Sequence, residues 1–265
     1  MESASTGPSS ENFGTAHMHP QSGSPLQPMV RKLSSRFPLE QREQQALLDL
    51  PCTVQELPRK QVLFREGAFN ADIRILLSGL ACSYRPSGQG RRIVTALHSG
   101  GDILNMKAAF ATKADGGAWM LTPGSVANVP SRILVALALE EPRLAVALWR
   151  GSVEGEAAAQ DWASNIGRDG RVRLVRLLLE LALRVEATGA ASRHHFDLPL
   201  TVDEIAEAIG VCPTHASRLF HDLGELGLIR RKGNRIEITE WERLVEVGEF
   251  PAPGSTPPLL ARCNP

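Results

Sequence analysis

The sequence predicts an α+β chain: an N-terminal β-roll of the jelly-roll kind, one long dimerisation helix, and a C-terminal winged helix-turn-helix. Three observations carry that expectation. Short apolar segments recur between turn signals from Cys52 to Ser131. A proline-free stretch of helical spacing follows Pro142. After Leu200 come a capped helix, a glycine turn, a second helix and a basic hairpin.

The bulk numbers set the frame. A chain of 265 residues is long enough for two domains that each bury a core. With 43% hydrophobic and 22% charged residues the composition is that of an ordinary globular protein. The 29 Lys and Arg balance 29 Asp and Glu, so affinity for nucleic acid has to come from local placement of charge. Cys52, Cys82, Cys212 and Cys263 are scattered, with no CxxC pair and no ligand-like spacing to histidine. That argues against a disulfide framework, structural zinc or an iron–sulfur cluster. The chain does not open on a charged stretch followed by an apolar one, so no signal peptide is expected. The longest apolar run, Ile133 to Leu139, is too short to span a bilayer. No membrane partner and a cytoplasmic location are therefore expected.

Residues 1–30 are rich in Ser, Gly, Pro and Gln and read as a disordered arm. Residues 31–140 read as the roll. A short helical stretch, Pro38 to Leu50, should pack on its outside. The strand candidates are Val62 to Phe64, Ile73 to Leu77, Leu80 to Tyr84, Ile93 to Leu97, Ile103-Leu104 and Val126 to Val129. Between them lie Glu66-Gly67, Ser78-Gly79, Pro86 to Gly90, Gly100-Gly101-Asp102 and Pro123-Gly124. Many short strands at this spacing suit a barrel or jelly roll.

Residues 141–167 read as one long helix. Leu144, Leu148, Ser152, Gly155, Ala159, Trp162 and Ile166 recur at three- and four-residue steps. Small residues in the middle of this stripe would let a second helix approach, as in a two-fold dimer seam. The alternative is that the same stripe packs on its own roll. Residues 168–247 form the second domain. Its first helix should turn Val172, Val175, Leu178, Leu179 and Ala182 to the core, with Arg168, Arg171, Arg173 and Arg176 on the polar side. The segment 248–265 carries Pro251, Pro253, Pro257 and Pro258 and reads as a loose tail.

The function-bearing signal starts at Thr201. Glu204 stands three residues on, which makes a capping box, and Val202, Ile205, Ala206 and Ile209 give an apolar face. Gly210 ends that helix, and Pro213 suits the first turn of the next, whose inward face is Ala216, Leu219, Phe220 and Leu223. Gly227-Leu228-Ile229, the basic run Arg230 to Arg235, and Ile236-Glu237-Ile238 then read as strand, hairpin tip and strand. This is the pattern of a winged helix-turn-helix that binds double-stranded DNA. Thr214, His215, Ser217, Arg218 and His221 lie on the outward face of the second helix. Arg218 is placed to pair with guanine, Thr214 to meet a base edge or phosphate, and His215 to meet phosphate or water. Arg231, Lys232 and Arg235 in the wing would lie beside a phosphate backbone.

The chain resembles the Crp/Fnr family of bacterial transcription regulators across residues 40–245. The resemblance rests on Leu57-Pro58-Arg59-Lys60, Leu63-Phe64-Arg65-Glu66-Gly67, Leu76-Leu77-Ser78-Gly79, Gly100-Gly101-Asp102 and the Pro199 to Ile238 stretch, in that order. From Ile166-Gly167-Arg168-Asp169 to Leu183-Arg184 it is similar to an alphaproteobacterial subgroup whose ligands are mostly unassigned. The resemblance implies a cyclic-nucleotide-binding-like roll, a dimerisation helix, and a homodimer that acts on palindromic promoter sites with RNA polymerase as a further partner.

This sequence departs from the family pattern in places. Members that bind cyclic AMP carry a Gly-Glu segment and an Arg beside Ser or Thr to hold the phosphate. The matching stretches here are Gly101 to Lys107 and Gly116 to Met120, with Lys107 as the sole candidate cation, so cyclic AMP is not the expected input. Oxygen-sensing members hold an iron–sulfur cluster on clustered N-terminal cysteines, and only Cys52 stands near that part. No cofactor is expected; the remaining alternative, haem held through His98 or Met106, competes with the packing roles that lone residues of these types usually have. Where many members have Glu in the reading helix this chain has Thr214, so their DNA consensus does not carry over. A second reading of the chain is a signal-binding module that has lost DNA reading and acts through a protein partner. An enzyme is not expected: there is no nucleophile elbow, phosphate loop or metal cluster, and His98 and Asp102 alone do not make one.

Overall fold

The computed structural model describes residues 23–86, 92–110, 113–165, 167–187, 189 and 191–250. The arm up to residue 22, most of the turn after Pro86 and the tail from residue 251 lie outside the described residues, as do the Ala159 side chain and Ile166.

Turn glycines fold the first half of the chain back on itself. Among the described residues β1 (Thr53–Leu57), β7 (Gly124–Pro130) and β3 (Asp72–Leu76) form one antiparallel sheet in that order. The other sheet runs β2 (Val62–Phe64), β6 (Gly117–Met120), β4 (Ala81–Pro86) and β5 (Arg92–His98). The β3–β4 turn needs Gly79 at φ +80°, and a Cβ on the facing Gly124 would lie 2.2 Å from the Ser78 carbonyl oxygen. Leu63, Leu76, Ala81, Leu104, Ala118, Met120 and Val126 fill the space between the sheets.

Both sheets are also covered outside. Ile73, Ile75, Ala127 and Val129 on the outer face of β3 and β7 share a cluster with four helices: α1 (Gln27–Arg36), α2 (Gln41–Leu48), α3 (Ser131–Glu140) and α4 (Pro142–Asn165). Cys82, Tyr84, Val94, Leu97 and Trp119 on β4, β5 and β6 are covered by the second domain. Each Ile, Val or Leu among them, fully buried, contributes about 1.5–3 kcal/mol relative to exposure.

Several expectations change. α1 begins inside the stretch expected to be an unstructured arm. Leu26, Met29, Val30 and Leu33 recur at helical spacing and are buried, and Lys32 Nζ meets Asp102 Oδ2 at 2.8 Å. Ile103-Leu104 makes only an isolated bridge from Ile103 to Ile75, because Leu104 turns into the roll interior at once. β1 and β6 are strands that the apolar runs did not mark.

The expected long helix is α4, but its stripe divides. Leu144 and Leu148 are buried against the chain's own α1–α3 cluster, and Trp162 is buried with the second domain. Gly155 is exposed. So the upper part of the stripe packs on its own domain. The face that remains open is Val146, Trp149 and Val153, with Trp149 69% exposed.

The second domain follows: α5 (Gly170–Ala187), β8 (His195–Asp197), α6 (Val202–Ile209), α7 (Pro213–Glu225), β9 (Ile229–Lys232), β10 (Arg235–Ile238) and α8 (Trp241–Val247). α5 buries Val175, Leu178, Leu179 and Ala182 as expected but leaves Val172 half-buried, and it also buries Leu174, Leu177 and Leu181. It is apolar on more than one face because it lies between the winged helix and the roll. Of the arginines expected on its polar side, Arg168, just before the helix, pairs with Glu249, Arg171 lies 3.9 Å from Asp222, and Arg176 donates to the Glu249 carbonyl at 2.8 Å. No helix among the described residues is long and apolar enough to cross a membrane.

Candidate nucleic-acid interface

The site is built from local signals. Thr201 Oγ1 accepts from the Glu204 amide at 3.3 Å, and Glu204 Oε2 accepts from the Thr201 amide at 2.7 Å. This reciprocal cap starts α6. Burial disfavours the charged form of Glu204, but the Thr201 amide and the Arg59 and Lys60 cations outweigh it and hold its pKa below the usual value. Gly210 takes φ +66° to end the helix, and Pro213 opens α7. Ala216, Leu219, Phe220 and Leu223 of α7 are all buried, which fixes the opposite face outward.

On that outward face Thr214, Ser217, Arg218 and His221 are exposed. Among the described residues Arg218 has no ion-pair partner. His215 is half-buried at the N-terminal end of α5, where a Cβ on Gly170 would lie 3.2 Å from its Nε2. It is thus set back from the other four.

The wing is a two-residue hairpin. Lys232 pairs with Arg235, and Gly233 takes φ +62° at the first turn position, the place a type II′ turn needs glycine. Arg231, Lys232 and Arg235 are exposed. Arg231 lies over the Phe220 ring at 4.5 Å and donates to the Gly233 carbonyl at 3.0 Å, so it is held between wing and reading helix. Arg230 meets Glu237 at 3.4 Å, and Arg235 lies 4.0 Å from Asp197. Lys232 has no such partner among the described residues. A cleft between α7 and the wing is lined by Ser217, His221, Arg231 and Gly233.

Two features escaped the sequence. Phe220 is more than a core residue, since its ring carries Arg231. β8 pairs with β10 as a third strand, and Asn234 Nδ2 donates to the Leu198 carbonyl at 2.6 Å, which anchors the base of the wing. The Asn234-Arg235 pair in the basic run was visible, but nothing local named its partner strand.

In the roll the stretch matched to a phosphate cassette is occupied by the protein itself. A Cβ on Gly117 would lie 2.3 Å from the Tyr84 ring, and one on Gly116 would lie 2.4 Å from the Tyr84 carbonyl oxygen. Arg92 stacks over both Tyr84 and Trp119, at 4.9 and 5.1 Å. Lys107 and Arg85 both pair with Asp115, at 2.6 and 2.9 Å. The two residues considered for haem stand in different surroundings. His98 Nε2 lies 2.8 Å from Ser83 Oγ, and desolvation holds its pKa down at about 4. Met106 packs beside the cluster under α1–α4. Among the described residues no group of three or more His, Cys, Asp or Glu could hold a metal ion.

A roll with a winged helix-turn-helix seated on its outer face is the architecture of a DNA-binding transcription regulator. Comparison with known proteins agrees. Residues 54–141 match a model of the cyclic nucleotide-binding domain, and residues 172–247 match one of the Crp-like helix-turn-helix domain. The anaerobic regulatory protein of Haemophilus influenzae is 26% identical over 219 residues, covering 82% of this chain and 85% of that protein. The structure of FixK2 from Bradyrhizobium japonicum superposes with a TM-score of 0.67 at 22% identity, covering 75% of this chain and 98% of that one. The c-di-GMP responsive regulator CLP of Xanthomonas campestris gives 0.62 at 18% identity, covering 75% and 99%. The chain belongs to the Crp/Fnr family of transcription regulators.

Proposed function

We propose that this regulator binds palindromic promoter sites as a homodimer, reads bases with α7, and responds to an input other than cyclic AMP. The observation that carries the reading is the exposed, unpartnered Arg218 on a face otherwise made of Thr214, Ser217 and His221. A guanidinium with no protein partner, beside small hydrogen-bonding side chains on a helix, suits the edge of a guanine in the major groove. Thr214, Ser217 and His221 take neighbouring base edges or phosphates. Lys232 and Arg235 take backbone phosphates, and Arg231 does so from its stack on Phe220. His215, half-buried, serves phosphate or water at the edge of the interface.

The homodimer is supported by Val146, Trp149 and Val153. They recur at three and four residues along α4 and stay exposed in the single chain. A second copy related by a two-fold axis covers such a stripe with itself. An input other than cyclic AMP is supported by the Tyr84 ring against Gly117 and by the pairing of Lys107 with Asp115. Haem is not part of the reading. RNA polymerase is the partner through which a promoter-bound dimer would act.

The test is selection from random DNA duplexes by the purified protein, followed by sequencing, with Trp149→Glu as companion. The expected result is an enriched palindrome for the natural protein. The variant should sediment as a monomer and select only weakly. Enrichment of a single, non-repeated half-site by both proteins would remove the dimer from the reading, and no enrichment with or without cell extract would favour action through a protein partner.

A further inference from the structure

The reading head does not hang freely from α4. The link between α4 and α5 is short, residues 166–169, and the head is also held laterally against the roll. The apolar part of that contact joins Cys82, Tyr84, Val94, Leu97 and Trp119 to residues of α5 and α6 in one continuous cluster. The polar part is concentrated on α6. Arg59, in the turn between β1 and β2, donates through Nε to the Leu121 carbonyl at 3.0 Å, which fixes the guanidinium to the roll. Its Nη2 then reaches the Pro199 carbonyl at 2.9 Å and Glu204 Oε2 at 2.7 Å. Lys60 adds a contact to Glu204 at 3.5 Å from a residue held at φ +69°. One turn further along α6, Glu207 accepts from the Arg92 amide at 2.9 Å. On α5, Arg184 donates to the Leu97 carbonyl at 2.9 Å.

We infer that Arg59 is a positioning residue for DNA reading: it pins the capped end of α6 to the roll and thereby sets the heading of α7. The planar guanidinium spans three acceptors on two domains, a task that a lysine cannot duplicate. α6 and α7 share the cluster containing Ile205, Ile209, Leu219, Phe220 and Leu223, so they move together. Whatever holds α6 holds α7. The pin covers none of Thr214, Ser217, Arg218 or His221, which stay exposed while it is closed. It therefore acts by orientation and not by blocking. A dimer whose two heads are fixed loses less freedom on meeting two half-sites than one whose heads swing. The inference rests on the DNA-reading function proposed above.

The experiment compares Arg59→Ala, Glu204→Gln and the double variant by specific DNA affinity and by amide hydrogen exchange without DNA. Glu204→Gln removes the charge but keeps an oxygen for the Thr201 amide, so α6 remains capped. Each single variant is expected to lose about tenfold in specific affinity, within the usual span of coupling between sites. The double variant should lose no more than the worse single one. Exchange should rise in α6 and β5 while α2 and the β1–β7–β3 sheet stay protected, a local pattern that general destabilisation would not give. Arg59→Lys should not restore the affinity. Unchanged or tighter binding by Arg59→Ala, or fully additive losses, would overturn the pin. If the natural protein selects no DNA at all, the DNA reading fails, and the exchange pattern still decides whether Arg59 holds the head.

Discussion

Two basic regions of the molecule are arranged in opposite ways. At the roll turn, Lys107 and Arg85 converge on Asp115, and Arg92 lies on Tyr84 and Trp119. On the reading head, Arg218 and Lys232 project without a partner among the described residues. Cations already paired within the chain have little left to offer a ligand, whereas solvated ones can exchange water and counterions for phosphate or a base. Charge count alone does not separate these regions. Pairing does.

The sharpest way to break this comparison is to remove a cation from the open region. Arg218→Ala should cost roughly 1–3 kcal/mol of specific binding, about 5- to 150-fold, and relax the sequence preference at one position. Lys232→Ala should weaken binding to all sequences alike and lower the salt slope by about 1. Binding isotherms on matched and scrambled duplexes at several salt concentrations distinguish them; identical profiles for the two variants would mean that helix and wing have no division of labour.

On the closed side the expected effect is on stability and not on binding. Gly117→Ser places a Cβ against the Tyr84 ring and should destabilise the protein by about 1–3 kcal/mol in urea unfolding, as overpacking does. A neutral result would show that the ring yields, and the turn would then have room after all.

A separate effect concerns acid. Desolvation holds His98 at about 4, so the folded protein keeps it neutral where an unfolded chain takes up a proton below roughly pH 6.5. Stability should therefore fall as pH drops from about 6.5 toward about 4, by on the order of 3 kcal/mol from this residue. His98→Gln, which keeps a partner for Ser83, should flatten that slope in denaturation series. Equal slopes in both proteins would assign the acid sensitivity elsewhere.

What could be read from the sequence follows from how local each signal is. The reading head was legible because a cap, a turn glycine, a helix-opening proline and a hairpin glycine each act within a few residues: Thr201 with Glu204, then Gly210, Pro213 and Gly233. α1 was missed although Leu26, Met29, Val30 and Leu33 carry the right spacing, since Pro28 and the surrounding Ser and Gln residues mask it. β6 was missed for a different reason. All four of its residues are buried, so Gly117-Ala118-Trp119-Met120 shows no alternation of apolar and polar. The stripe on α4 stayed open between a dimer seam and packing on its own roll because periodicity shows that a face is apolar without showing what it meets. Leu144 and Leu148 meet the chain's own α1–α3 cluster, while Val146, Trp149 and Val153 stay exposed in the single chain. Pairing between distant residues, such as Arg59 with Glu204, leaves no mark in local sequence at all.

β6 also has a mechanical consequence. Ala118 and Met120 belong to the inner packing of the roll, while Trp119, between them, belongs to the cluster shared with α5 and α6. The strand is a party wall with a tenant on each side. Close-packed interiors yield little in volume, so a displacement of Met120 by half the width of a methyl group has to be taken up by Trp119 next door. Anything that reshapes the inside of the roll is felt, through one peptide bond, under the reading head.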